Sequence, residues 1–258
     1  MSTLRTLVVQ SDVQWNDPES NRRRLGETLG SRAGAFDLAV LPETFTTGFL
    51  GDTASGGEDM QGPTVSWMHD LATRHDCAVA GSLVVAENGH RFNRFLFVTN
   101  GGVLAQYDKR HLFSYGGEDE QYTAGDRRVN FEYEGWRINL QVCYDLRFPA
   151  WCRNRNDYDL MLLVANWPGR RIHHWSLLLQ ARAVENQAFV VGVNRCGRDG
   201  MGLDYPGCSA VHGPTGETLM KLDEAERSEI VDLDLEQVRK TRERFPFQQD
   251  ADRFELDV

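Results

Sequence analysis

Three short apolar runs in this sequence stop abruptly at polar residues, and no other feature restricts the fold as much. Leu38-Ala39-Val40-Leu41 runs into Pro42-Glu43. Ile138-Asn139-Leu140-Gln141-Val142 runs into Cys143-Tyr144-Asp145, and Leu160-Met161-Leu162-Leu163-Val164-Ala165 runs into Asn166-Trp167-Pro168. Runs of this length, rich in Val and Leu and bounded by turn residues, read as buried strands at 37–41, 136–142 and 159–165. Further strands are expected at 4–10, 77–85, 92–99, 103–107 and 188–193, with weaker candidates at 208–212, 218–222 and 229–234. Helical patterns fall at 18–32, 64–74, 149–155 and 173–186, with a short one near 235–242. In the helix from His173, the residues Trp175, Leu178, Leu179, Arg182 and Ala183 recur at spacings of three and four and make one face apolar.

Strands and helices alternate early and late around a central run of strands, which predicts sheets covered by helices, an α/β architecture. No Pro/Gly/Ser-rich linker, internal repeat or low-complexity tract divides the 258 residues. The expectation is one domain over 1–258, with a polar tail from about 245 that contacts a partner subunit.

In open α/β sheets ligands bind at the carboxyl ends of the strands, so the three polar tips matter as a group. Cys143 sits at a strand-to-helix corner, where helix N–H groups favour a thiolate. The alternative is a small buried hydrophobe, the usual role of a free cysteine. Cys77, Cys152, Cys196 and Cys208 lack that context and read as structural. Glu43 follows a buried strand directly. A buried carboxylate finds a partner or its pKa rises, which suits a general base, whereas an ordinary Glu faces water. Lys109, in Tyr107-Asp108-Lys109-Arg110-His111, follows another strand. Beside a thiolate it would stabilise that charge and a developing oxyanion; otherwise it is a solvated basic turn.

Other function classes are disfavoured. A net charge of −10 argues against nucleic acid or an anionic membrane surface as partner. The early Leu7-Val8-Val9 stretch is too short for a signal-peptide core, and no apolar run reaches membrane-spanning length. Five widely spaced cysteines do not form a disulfide framework and fit a reducing, cytoplasmic setting. There is no Gly-x-Ser-x-Gly elbow and no phosphate-binding Gly-x-x-x-x-Gly-Lys loop. Gly197-Arg198-Asp199-Gly200-Met201-Gly202 reads as a flexible turn, and His173-His174 point to different faces of a helix. No metal or cofactor is expected.

Four segments in this order resemble the nitrilase, or carbon–nitrogen hydrolase, superfamily across nearly the whole chain. They are Leu41-Pro42-Glu43-Thr44-Phe45, Tyr107-Asp108-Lys109-Arg110-His111-Leu112, Cys143-Tyr144-Asp145-Leu146-Arg147-Phe148-Pro149 and Ala181-Arg182-Ala183-Val184-Glu185-Asn186-Gln187. The resemblance implies a four-layer α-β-β-α sandwich, a homodimer or higher homo-oligomer joined through outer helices, and a Glu–Lys–Cys triad that falls on Glu43, Lys109 and Cys143. A second glutamate is implied between the Lys and Cys motifs. Counting back from Gly125-Asp126 aligns Glu118, with Asp119 and Glu120 close by. The implied roles are Cys143 as nucleophile, Glu43 as base, Lys109 and the Tyr144 backbone N–H as oxyanion donors, and Glu118 as a residue orienting Lys109 or water.

Within the superfamily the chain is most similar to the bacterial omega-amidases, through Thr46-Thr47-Gly48-Phe49, Ala165-Asn166-Trp167-Pro168 and Phe245-Pro246. That resemblance implies hydrolysis of the omega-amide of a small dicarboxylate such as 2-oxoglutaramate or 2-oxosuccinamate. Tyr144, Phe49, His111, Asn166, Trp167 and Arg171 are the expected substrate contacts. Arg171 or its neighbour Arg170 would hold the carboxylate, Phe45 could help wall the pocket, and Arg147 would pair with Asp145 or a nearby carboxylate. The competing readings are a nitrile, N-carbamoyl amino acid or aliphatic amide hydrolase with the same triad, a Cys–His hydrolase using His111, His173 or His174, and a silent binding module.

Overall fold

The computed structural model describes residues 2–49 and 57–256. Side-chain alternation sets its layers. In β1 (Thr3–Gln10) Leu4 and Val8 point to one side and Leu7 and Val9 to the other, so both faces need covering. The same holds for β2 (Leu38–Val40) and β3 (Ala78–Glu87), and later for β7 (Trp136–Val142), β8 (Leu160–Ala165) and β9 (Phe189–Asn194). These six strands make two parallel triplets, β1-β2-β3 and β7-β8-β9.

Antiparallel strands extend each triplet. The first sheet adds β14 (Arg227–Asp234) beside β1, then β4 (His90–Thr99) and β5 (Gly102–Asp108) beyond β3. The second adds β6 (Asn130–Tyr133) beside β7, then β12 (Ala210–His212) and β13 (Thr218–Lys221) beyond β9. The two six-stranded sheets thus repeat one pattern of strand directions.

Leu4, Val8, Val40 and Phe97 of the first sheet meet Ile138, Leu140, Leu162 and Val191 of the second in a shared core. On the outside, α1 (Pro18–Gly30) and α2 (Pro63–His75) cover the first sheet through Leu25, Leu29, Met68 and Leu71. Helix α5 (Ile172–Asn186) covers the second through Trp175, Leu179 and Ala183. This is the four-layer α-β-β-α sandwich that the resemblance implied. Pro18 opens α1 at a position with no N–H to lose, and the Asp17 side chain accepts from Ser20 N at 3.1 Å.

Several boundaries differ from the sequence reading. The expected helix 149–155 is one turn, α4 (Pro149–Cys152), because Arg153 turns extended; a 3₁₀ turn over Cys143–Arg147 precedes it. Strand β6 and the single-turn α3 (Glu118–Gln121) were not anticipated. The expected flexible turn at 197–202 is the tip of a hairpin, β10 (Cys196–Arg198) and β11 (Asp204–Pro206). Asp199 fixes it: one carboxylate oxygen accepts from Met201 N and Leu203 N, each at 2.9 Å, and the other accepts from the Tyr205 hydroxyl at 2.9 Å. After α6 (Leu235–Arg244) the tail lies on its own chain, with Gln248 Nε2 donating to Asn186 O at 2.9 Å. Among the described residues no helix is long and apolar enough to cross a membrane.

The loop leaving β2 carries Glu43 and packs tightly on β3. A Cβ on Gly81 would lie 2.9 Å from both Leu41 Cβ and Phe45 Cδ1. Gly81→Ala is therefore expected to destabilise by about 1–3 kcal/mol through overpacking. Thermal unfolding checks this; a melting temperature at or above that of wild type contradicts the close approach.

Candidate active site

The carboxyl ends of β2, β5, β7 and β8 deliver Glu43, Lys109, Cys143 and Asn166 to one place. Glu43, Lys109 and Cys143 line a single narrow cavity of about 60 Å³, together with Phe49, Phe113, Tyr144, Arg147, Asn166, Trp167, Pro168, Arg171, Leu203 and Tyr205. The first sheet supplies the acid–base groups and the second the thiol, so the cavity exists only because the sheets pack face to face.

Lys109 is buried with its ammonium between two carboxylates. Nζ donates to Glu43 Oε1 at 2.9 Å and to Glu118 Oε1 and Oε2 at 2.9 and 2.8 Å. The Asn93 amide spans the same pair, donating to Glu43 Oε1 at 2.8 Å and Glu118 Oε1 at 3.3 Å. Glu43 Oε2 accepts from Asn166 N at 2.7 Å, a bond across the sandwich. The Asn166 side chain returns to Glu43 O at 3.2 Å and Thr44 Oγ1 at 2.8 Å. Glu118 Oε2 also accepts from Phe113 N at 2.6 Å. Every oxygen of the two buried carboxylates is thus satisfied, which burial of such groups demands.

Cys143 occupies the left-handed region at φ 45°, at the corner between β7 and the 3₁₀ turn. A non-glycine residue holds that conformation only where its surroundings impose it. Asp145 does so: one oxygen accepts from Val142 N at 3.0 Å and the Tyr107 hydroxyl at 2.7 Å, the other from His111 N at 3.0 Å. Thr44, just after Glu43, is likewise left-handed at φ 41°.

Burial alone would lower the Lys109 pKa, but the charges of Glu118 and Glu43 outweigh it and hold the ammonium well above its ordinary value. Burial pushes Glu118 up, with Lys109 opposing and Glu43 adding to the rise. Burial also pushes the Cys143 thiol well above its ordinary value; Glu43 adds to this and Lys109 only partly offsets it. The sequence reading had helix N–H groups favour the attacking thiolate, with Glu43 taking the proton. In the resting site burial and then the Glu43 carboxylate act the other way and favour the protonated thiol.

Of the expected residues, Glu43, Lys109, Cys143, Tyr144, Phe49, Asn166, Trp167 and Arg171 reach the cavity, while Glu118 stands behind Lys109. Four placements differ. His111 does not line the cavity: its Nδ1 lies 2.8 Å from Asp145 Oδ1 and its ring stacks on Phe148 at 3.7 Å. Arg170 is exposed, and Phe45 packs in the core under α2. Arg147 pairs with no carboxylate among the described residues, since Asp145 is already committed; instead it lines the cavity over the Trp167 ring at 4.8 Å. No histidine is among the lining residues, which removes the geometric basis for a Cys–His pair.

Sequence reasoning missed Asn93, Leu203 and Tyr205. Asn93 carried a signal, a polar residue within the apolar strand Phe92–Thr99 that proves fully enclosed in β4. Leu203 and Tyr205 carried none, because their glycine-rich hairpin reads as a turn.

Comparison with known proteins finds relatives over nearly the whole chain. The carbon–nitrogen hydrolase family model matches residues 7–243. The chain is 45% identical to the omega-amidase YafV of Escherichia coli K12 over 257 residues, covering 99% of this chain and 100% of that one. It is 31% identical to the 2-oxoglutaramate amidase of Bacillus subtilis over 245 residues, covering 92% and 93%. A crystal structure of a carbon–nitrogen hydrolase superfamily protein from Xanthomonas campestris, with an arsenic adduct in its active site, superposes with a TM-score of 0.95 at 45% identity over 100% of both chains.

The thiol's environment yields a signed expectation. Glu43 raises the Cys143 pKa and Lys109 lowers it, so Glu43→Gln should move the pH midpoint of Cys143 alkylation by iodoacetamide downward. An unchanged or higher midpoint would mean that Glu43 does not act on the thiol.

Proposed function

The chain belongs to the carbon–nitrogen hydrolase family, and on that premise we propose that it is an omega-amidase, releasing ammonia from the terminal amide of a small dicarboxylate such as 2-oxoglutaramate or 2-oxosuccinamate. The observation that carries the substrate class is a pair of guanidinium groups on the wall of a narrow cavity. Arg147 lies over Trp167 and Arg171 over Phe113 at 5.0 Å, and among the described residues neither has an acidic partner. A cation held on an aromatic face with its charge unneutralised is a receptor for an anion. An amide substrate that ends in a carboxylate supplies one.

The chemistry follows from the residues that share the cavity. Glu43 takes the Cys143 proton as the sulfur attacks the amide carbon, and the C=O electron pair moves onto oxygen. The oxyanion faces the Lys109 ammonium and the Tyr144 backbone N–H, one of the first amides of a helical turn and so without an intrahelical partner. Glu43 returns the proton to the departing nitrogen, the C–N bond breaks, and ammonia leaves a thioester on Cys143. Water attacks the thioester carbon as Glu43 takes its proton; the second tetrahedral intermediate collapses with cleavage of the C–S bond, which releases the acid, and Glu43 returns the proton to sulfur to restore the thiol. Glu118 and Asn93 act indirectly, because their bonds fix the positions of Lys109 and Glu43.

A thiol protonated at rest suits this cycle, since proton removal is then coupled to attack. Both sheets contribute to the triad, which supports a single catalytic domain. The proposal extends to a cytoplasmic enzyme, in keeping with five free cysteines, and to a homo-oligomer joined through the outer layer, where Leu177 and Val184 of α5 are exposed.

Ammonia release from 2-oxoglutaramate, beside a neutral amide of similar length, tests the substrate class. Wild type should prefer the charged amide. Arg147→Met should raise KM for it by roughly tenfold or more, the cost of a lost charged hydrogen bond. Equal losses on both amides would remove Arg147 from carboxylate recognition.

A further inference from the structure

Arg147 is oriented in an uncommon way. A guanidinium inside a protein is usually fixed by a carboxylate, which also neutralises it. Here Arg147 makes one hydrogen bond among the described residues, with Nη2 3.1 Å from His174 Nδ1 in the first turn of α5. Its other support is the face of Trp167, whose Nε1 donates to Arg171 O at 2.8 Å and is thereby fixed. A guanidinium has only donors, so Nδ1 must accept, and His174 must be the neutral Nε2–H tautomer. The groups facing His174 fit that state: His173, Arg147 and Arg171 are all basic, and its pKa is lowered by burial first and by those groups next.

Resting on the omega-amidase reading, we propose that His174 is a positioning residue: it fixes Arg147 through a neutral acceptor, so that the guanidinium is ordered yet keeps its full charge for the substrate carboxylate. An aspartate at the same place would hold Arg147 equally well but would neutralise it and compete with the substrate. A residue with no acceptor would leave Arg147 charged but without its fixed rotamer. The neutral imidazole supplies order without competition, and it does so from the helix that covers the second sheet, so the carboxylate subsite is built from the 3₁₀ turn after Cys143, the end of β8 and the start of α5.

Steady-state kinetics of the full-length enzyme on 2-oxoglutaramate and on a neutral amide of similar length test this with three variants. His174→Leu should raise KM for the charged amide about tenfold more than for the neutral one, with kcat moving far less than KM. His174→Asn, whose amide oxygen can take the place of Nδ1, should recover most of that KM. His174→Asp should not recover it, although it also accepts a hydrogen bond. Equal effects of His174→Leu on the two amides, an unaltered KM, or rescue by Asp as good as by Asn would each overturn the inference. Failure of wild type to discriminate between the amides is a different result, which overturns the substrate reading and this inference with it.

Discussion

The site depends on one interaction, the Lys109 ammonium held between the Glu43 and Glu118 carboxylates. Three buried charges carry a large desolvation cost, recovered only when each oxygen and each ammonium hydrogen finds a partner. Asn93, the Asn166 amide and the Phe113 amide complete the set, which ties together the ends of β2, β5 and β8 and the turn before α3. The cluster also decides the chemistry. Burial first, and then the Glu43 carboxylate, raise the Cys143 pKa, and Lys109 only partly offsets them, which favours the protonated thiol before a substrate carbonyl arrives. Removing the lysine would leave two like charges facing each other in the interior, so its loss would damage structure as well as catalysis.

Much of this was legible in the sequence because the physics that sets it is local. Apolar runs too short to be helices gave the parallel strands, and their polar ends gave Glu43, Cys143 and Asn166. Strand β7 matches the expected 136–142, and α5 starts one residue before the expected His173. The strand ends made Glu43 and Cys143 candidates only; the triad with Lys109, and Glu118 behind it, came through the resemblance. The distinction of Glu118 from Asp119 and Glu120 lies in burial, which a run of three acids does not reveal; among the three, Glu118 alone is enclosed.

What escaped was set by tertiary contact. His111 looked like a pocket residue from its place after Lys109, yet Asp145, thirty-four positions away, claims both its backbone and its ring. The same commitment of Asp145 leaves Arg147 without the carboxylate that sequence proximity suggested, and among the described residues no other carboxylate takes its place at the cavity wall. The hairpin carrying Leu203 and Tyr205 closes the site because Asp199 orders it from within, a contact that no periodicity encodes. In the proposed function the first sheet's charges activate the thiol, and the arginines that follow the strand ends of the second sheet select the substrate.

Acid-quenching the enzyme during turnover of 2-oxoglutaramate, and locating the adduct by peptide mass spectrometry, tests covalent catalysis at Cys143. The expected result is an increment equal to the substrate less ammonia, carried on the Cys143 peptide and absent from Cys143→Ala, which also loses turnover. Undiminished turnover by Cys143→Ala, or the same adduct on a different residue, would contradict it.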